Sequence, residues 1–177
     1  ENAIPFEGEK IVDGDYETSQ YEVIVDNEDE GFSAFSPVKD TYLRAYLDKR
    51  NPSDKKYHGI WRRSYSKWRI TTGSGFHGKY IRSAHFTRSG KGEKTAKWTP
   101  DLKEEGFYDL YAFMIGKNQN QFTGRRNSDR KYTYKYIINH ADGKDEINFN
   151  LSNAERGWNY LGSYYFTDQG GSVVLSD

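Results

Sequence analysis

From residue 67 onward the chain is a succession of short aromatic stretches, alternating from one side chain to the next and stopping at glycine, proline or asparagine. A repeat of two residues fits a pleated strand and no helix. Lys79 to Thr87 sets Tyr80, Arg82, Ala84 and Phe86 against Ile81, Ser83 and His85, and Lys94 to Thr99 puts Ala96 and Trp98 on one face. Phe107 to Ile115 is apolar on both faces, with Phe107, Tyr111, Phe113 and Ile115 on one and Tyr108, Leu110, Ala112 and Met114 on the other, which predicts a central strand covered on both sides. Lys131 to His140 carries the stripe Tyr132, Tyr134, Tyr136 and Ile138. Ala141-Asp142-Gly143-Lys144 then predicts a hairpin returning through Asp145 to Asn150. Trp158 to Thr167 and Ser172 to Leu175 are expected to pair around Asp168-Gln169-Gly170-Gly171.

The first 66 residues are read differently. Residues 1–20 are polar and acidic, an arm or edge strand. Tyr21 to Val25 predicts a strand, halted by the acidic turn Asp26 to Gly31. Residues 34–66 hold Pro37, Asn51-Pro52 and many charges, and are predicted to form a long insertion, with a short helical turn within Thr41 to Lys49. The expected architecture is an all-β, antiparallel, jelly-roll-like sandwich of about nine strands, one domain over 21–177 with the insertion 34–66.

Composition narrows the chemistry. There is no cysteine, which removes disulfides, thiolate nucleophiles and cysteine-ligated zinc. Lysine and arginine balance aspartate and glutamate at 26 each, so the whole chain has no bias toward nucleic acid or anionic membrane. The charges are segregated, however: residues 1–35 carry eleven acids and one base, residues 36–69 ten bases and three acids. Two solvated faces are the ordinary reading of such runs. No apolar stretch approaches a membrane span, and Glu1-Asn2-Ala3-Ile4-Pro5 reads as the start of a mature chain.

The order of motifs resembles the domain shared by the golvesin C-terminus and bacterial xanthan lyases. It is carried by Val25-Asp26-Asn27 with Asp29 and Gly31-Phe32-Ser33, by Thr95 to Pro100 and Gly106 to Tyr111, and then by Tyr134 to His140, Gly157 to Phe166 and Ser172 to Ser176. Trp68 stands further downstream than the family's first tryptophan, in keeping with an insertion. The resemblance implies a carbohydrate-binding-like accessory module of a larger exported bacterial protein, in an extracytoplasmic setting, partnered by a polysaccharide and by other domains of its own chain.

Sugar binding needs aromatic faces for the C–H side of a pyranose and polar groups for its hydroxyls. Trp98 and Trp158 lie within regular strands and are assigned to the core. Trp61 lies among bases in the insertion and is either folded onto the core or turned to a ligand. In the second case Tyr57, His58, Trp61 and Tyr65 would form a platform, with Arg62 and Arg63 holding an acidic sugar's carboxylate. Phe122, Arg125 and Arg126 form a second basic, aromatic candidate. Asp26 to Glu30 lacks the spacing of a calcium loop, so no metal and no cofactor are expected. A lyase would need a Tyr/His pair and an arginine. His77, Tyr80, Arg82 and His85 contain those types, but Tyr80 and His85 fall on opposite faces of an ideal strand. The expected role is therefore non-catalytic glycan binding, with a structural or docking domain and a polysaccharide lyase as rivals.

Overall fold

The computed structural model describes residues 21–37, 42–43, 46, 57, 67–73, 76, 81–114, 133–168 and 170–177. Nine strands run through them: β1 (Phe32–Phe35), β2 (Arg69–Thr71), β3 (Ala84–Phe86), β4 (Thr95–Trp98), β5 (Gly106–Met114), β6 (Thr133–His140), β7 (Gly143–Asn150), β8 (Gly157–Phe166) and β9 (Ser172–Ser176). Five of them form an antiparallel sheet in the order β1-β4-β9-β6-β7, while β2 pairs with β3 and β5 with β8. The arrangement is an antiparallel β-sandwich.

The two layers meet where alternation turns apolar side chains inward. From β5 and β8 come Tyr108, Leu110, Ala112, Met114, Leu161, Tyr164 and Phe166. Tyr134, Tyr136, Ile138, Ile147, Phe149, Val173 and Leu175 oppose them from the large sheet. Ile138 and Phe166 are the largest fully buried side chains. The tyrosine stripe of β6 thus belongs to the interior, and burial pushes the Tyr136 phenol well above its ordinary pKa. The β2–β3 pair meets the large sheet at β1, where the His85 ring packs on Phe32 at 4.6 Å.

Several expectations change. Tyr21 to Val25 is not a strand, and the first strand begins after the acidic turn, at Phe32. That turn is as predicted: Phe32 N donates to Asp29 O at 3.0 Å, and the Asp29 carboxylate accepts from Asp26 N at 2.7 Å. Within the expected helical turn, Tyr42, Leu43 and Tyr46 are helical and exposed. The strand expected over Lys79 to Thr87 is confined to Ala84–Phe86 among the described residues.

The last two strands do not pair with each other. β8 lies beside β5, whereas β9 is inserted between β4 and β6, and the segment between them carries the chain from one layer to the other. A hairpin at Asp168 to Gly171 would have kept both strands in one sheet, leaving Val173 and Leu175 without their places on the inner face. Gly171 is needed at this crossing, because a Cβ there would come within 2.4 Å of the buried Phe166 ring and 2.5 Å of Asn139 O.

Candidate functional site: an aromatic ladder on the outer sheet face

The strand β5 is not covered on both sides. Its inward residues pack in the core, but its outward ones stand in solvent, Phe107 at 76% and Tyr111 at 52% exposure, with Trp158 at 45% and Tyr160 at 53% beside them on β8. Four cross-strand pairs run down this face: Phe107 with Tyr165, Asp109 with Ser163, Tyr111 with Tyr160, and Phe113 with Trp158. Three are aromatic. Their ring centroids are 5.2, 5.3 and 5.4 Å apart, with edge-on geometry at the two ends and a tilted pair between. Cross-strand partners sit close enough for such rings to hold one another in place.

A register shift creates the ladder. Leu110 opposes Gly162 but Tyr111 opposes Tyr160, so Leu161 is an extra residue on β8. Because successive residues point to opposite faces, one extra residue reverses the facing of everything beyond it. Tyr165 and Ser163 face outward on one side of the bulge, Tyr160 and Trp158 on the other. Gly162, with φ of 144°, supplies a backbone conformation that other residues rarely adopt. The same reversal turns Asn159 inward, where it is fully used: its amide donates to Glu155 O and Gly157 O, each at 2.9 Å, and its oxygen accepts from Glu155 N at 3.0 Å.

Trp158 is therefore not a core residue, contrary to the sequence expectation. Strict alternation from the buried Phe166 through Tyr164 would carry Trp158 inside; the bulge breaks that parity. A glycine within an otherwise aromatic strand was the available sign. Trp98, also assigned to the core from the sequence, is half-buried, with its ring 5.2 Å from Phe32.

Asp109 is the polar centre of the ladder and the single carboxylate among its eight residues, which include no lysine, arginine or histidine. Partial desolvation first, and then the Asp109 carboxylate and Tyr111, raise the Tyr160 phenol above its usual pKa, with a side-chain hydrogen bond to Asp109 contributing. Rings for stacking and a carboxylate for accepting hydroxyl hydrogen bonds thus lie on one open face.

Of the sequence-derived candidates, Tyr57 is exposed, and its hydroxyl donates to Glu28 Oε1 at 3.4 Å. His58, Trp61, Arg62, Arg63, Tyr65, Phe122, Arg125 and Arg126 lie outside the described residues, as do His77 and Tyr80. His85 and Ser83 are bound up with the acidic turn. In the orientation that matches donors with acceptors, the Asn27 amide nitrogen faces Ser83 O at 2.8 Å and Asp26 Oδ1 at 2.9 Å, while its oxygen faces Ser83 Oγ at 2.8 Å and His85 Nδ1 at 3.2 Å. Glu28 Oε1 lies 2.6 Å from Ser83 Oγ and shares that hydroxyl's single proton with the Asn27 oxygen. Burial lowers the His85 pKa, against the smaller opposing pull of Glu28. Among the described residues no group of three or more acidic or histidine side chains is arranged to hold a metal, and no helix is long and apolar enough to cross a membrane.

Comparison with known proteins agrees with this architecture. A chain of Paenibacillus xanthan lyase is similar in structure, with a TM-score of 0.55 and 21% sequence identity. The match covers 86% of this chain and 11% of the lyase. This protein thus spans about a tenth of the length of that relative. No curated protein matches the sequence. The golvesin C-terminal domain family matches residues 61–177. That match begins after β1, yet β1 pairs along its full length with β4, so the Gly31-Phe32-Ser33 piece is built into the same sheet. The chain belongs to the golvesin C-terminal domain family.

Proposed function

We propose that the domain is a non-catalytic glycan-binding module of a larger, exported, polysaccharide-related protein, and that it holds its ligand on the outer face of β5 and β8. The observation that carries this reading is the outward aromatic ladder, three cross-strand ring pairs around one carboxylate. Apolar ring faces stack on the C–H side of a pyranose, and the phenol hydroxyls with Asp109 offer partners for its hydroxyls. The non-catalytic part of the proposal is supported by His85, whose ring packs on Phe32 and whose Nδ1 faces Asn27, employed in holding the acidic turn.

Affinity electrophoresis through gels containing soluble polysaccharides tests the reading. Wild type is expected to be retarded in at least one gel, and Trp158→Ala to migrate freely while its melting temperature stays within a few degrees. A domain that ignores every polysaccharide but captures another domain of its parent chain through Trp158 and Tyr160 would instead be a docking element. Unsaturated product accumulating from a uronate polymer would make it a lyase.

A further inference from the structure

We infer that the ladder selects uncharged, extended glycan chains over uronate-bearing ones, an inference that rests on the glycan-binding reading of this face. Two observations carry it. First, the ladder is long. Phe107 and Phe113 are six residues apart on one strand, about 20 Å at the rise of an antiparallel strand, with Tyr111 between them. A platform of that length matches several linked sugars in a row and exceeds what one monosaccharide would cover.

Second, the face has a sign. Its eight residues, Phe107, Asp109, Tyr111 and Phe113 on β5 with Trp158, Tyr160, Ser163 and Tyr165 on β8, contain one carboxylate and no lysine, arginine or histidine. Asp109 stands in the middle of the row, with aromatic pairs on both sides, so a chain laid along the rings passes over it. A hydroxyl there can donate to the carboxylate. A uronate there brings like charge, and the ladder contributes no cation to offset it. Rings on both sides displace water from the bound stretch, which strengthens the repulsion relative to bulk solvent. Charge on the ligand is therefore selected against at the centre of the site, whatever the basic segments elsewhere in the sequence do.

The test compares neutral polymers (glucomannan, hydroxyethylcellulose) with polyuronates (alginate, polygalacturonate) at low salt, scoring only the binding that Trp158→Ala abolishes. Wild type is expected to hold a neutral polymer roughly tenfold more tightly than either polyuronate. Asp109→Asn, which keeps the shape and one acceptor oxygen while removing the charge, is expected to close that gap, and so is 0.5 M salt, which screens the repulsion. A polyuronate bound as tightly as the neutral polymers, and lost in Trp158→Ala, would overturn the selectivity while leaving the glycan site in place. A preference for neutral polymers unchanged in Asp109→Asn would overturn the role given to this carboxylate. If no polymer of either class shows a Trp158-dependent component, the glycan reading itself fails.

Discussion

Trp158 stands directly across from Phe113, its ring meeting the phenylalanine edge-on at 5.4 Å, and it does so on the outer face because a single extra residue, Leu161, separates it from the buried Phe166. The open aromatic face descends from that displacement. A tryptophan held by its neighbour and still open to solvent is oriented before any ligand arrives, so less rotamer freedom is lost on binding.

Truncating the ladder and truncating the core should therefore have opposite signatures. Trp158→Ala is expected to cost less than about 1.5 kcal/mol of stability, the scale of one aromatic pair, while abolishing retention by polysaccharide. Ile138→Ala, at a fully buried site, should cost about 3 kcal/mol and leave binding intact at temperatures where the domain is folded. Chemical denaturation alongside affinity electrophoresis checks both.

Gly162 is the residue on which the bulge depends. Its φ of 144° and the 2.7 Å approach of the Tyr164 ring to any added Cβ predict that Gly162→Ala destabilises by about 1–3 kcal/mol. Deleting Leu161 should do more. It restores strict alternation, and either Trp158 and Tyr160 are driven inward or β8 loses its pairing with the far half of β5. The expected result is loss of cooperative unfolding.

Lys94 and Asp177 form a second fixed point, joining the start of β4 to the end of β9. The Lys94 ammonium lies 2.5 Å from the Asp177 carboxylate, which also accepts from Lys94 N at 2.8 Å, and both side chains are nearly inaccessible. Burial pushes the Asp177 pKa up, but the hydrogen bonds and charge of Lys94 outweigh it and hold the group below its ordinary 3.8. Its contribution is present above pH 3.8 and lost as the pH falls through the lowered value. Asp177→Asn should lower stability at pH 7 by about 3 kcal/mol, because it leaves a buried ammonium without its counter-charge. The deficit relative to wild type should shrink on the acid side of 3.8.

His85 acts at higher pH. Burial lowers its pKa from 6.5, so below 6.5 the unfolded chain takes up a proton that the folded one resists. Stability from this group is full above pH 6.5 and declines as the pH drops through the lowered folded-state value. Denaturation midpoints between pH 7.5 and 5 should fall in the wild type and fall less in His85→Gln.

The body of the sandwich was legible because β4, β6 and β7 alternate without interruption, and the Ala141-Asp142 turn enforces the hairpin of β6 and β7. Tyr21 to Val25 misled through composition: its β-branched residues suit a strand, but no strand among the described residues pairs with it. The crossover after β8 was hidden because Asp168 to Gly171 has the residues of a hairpin turn, and only the demand for Val173 and Leu175 on the large sheet's inner face decides the pairing. The ladder itself was half visible. Phe107, Asp109, Tyr111 and Phe113 lie in register on one face of β5, and apolar side chains on both faces suggested cover that the second layer does not supply. Trp158 and Tyr160 could be joined to them only by recognising the bulge.

The most direct test labels the four tryptophans with 5-fluorotryptophan, assigns each ¹⁹F resonance by single Trp→Phe replacement, and titrates a neutral oligosaccharide. The Trp158 resonance is expected to move with saturation, and the resonances of Trp98 and Trp68 to stay put. A saturable shift confined to Trp61, with Trp158 unmoved, would place the ligand on the insertion and contradict the assignment of binding to the outer face of β5 and β8.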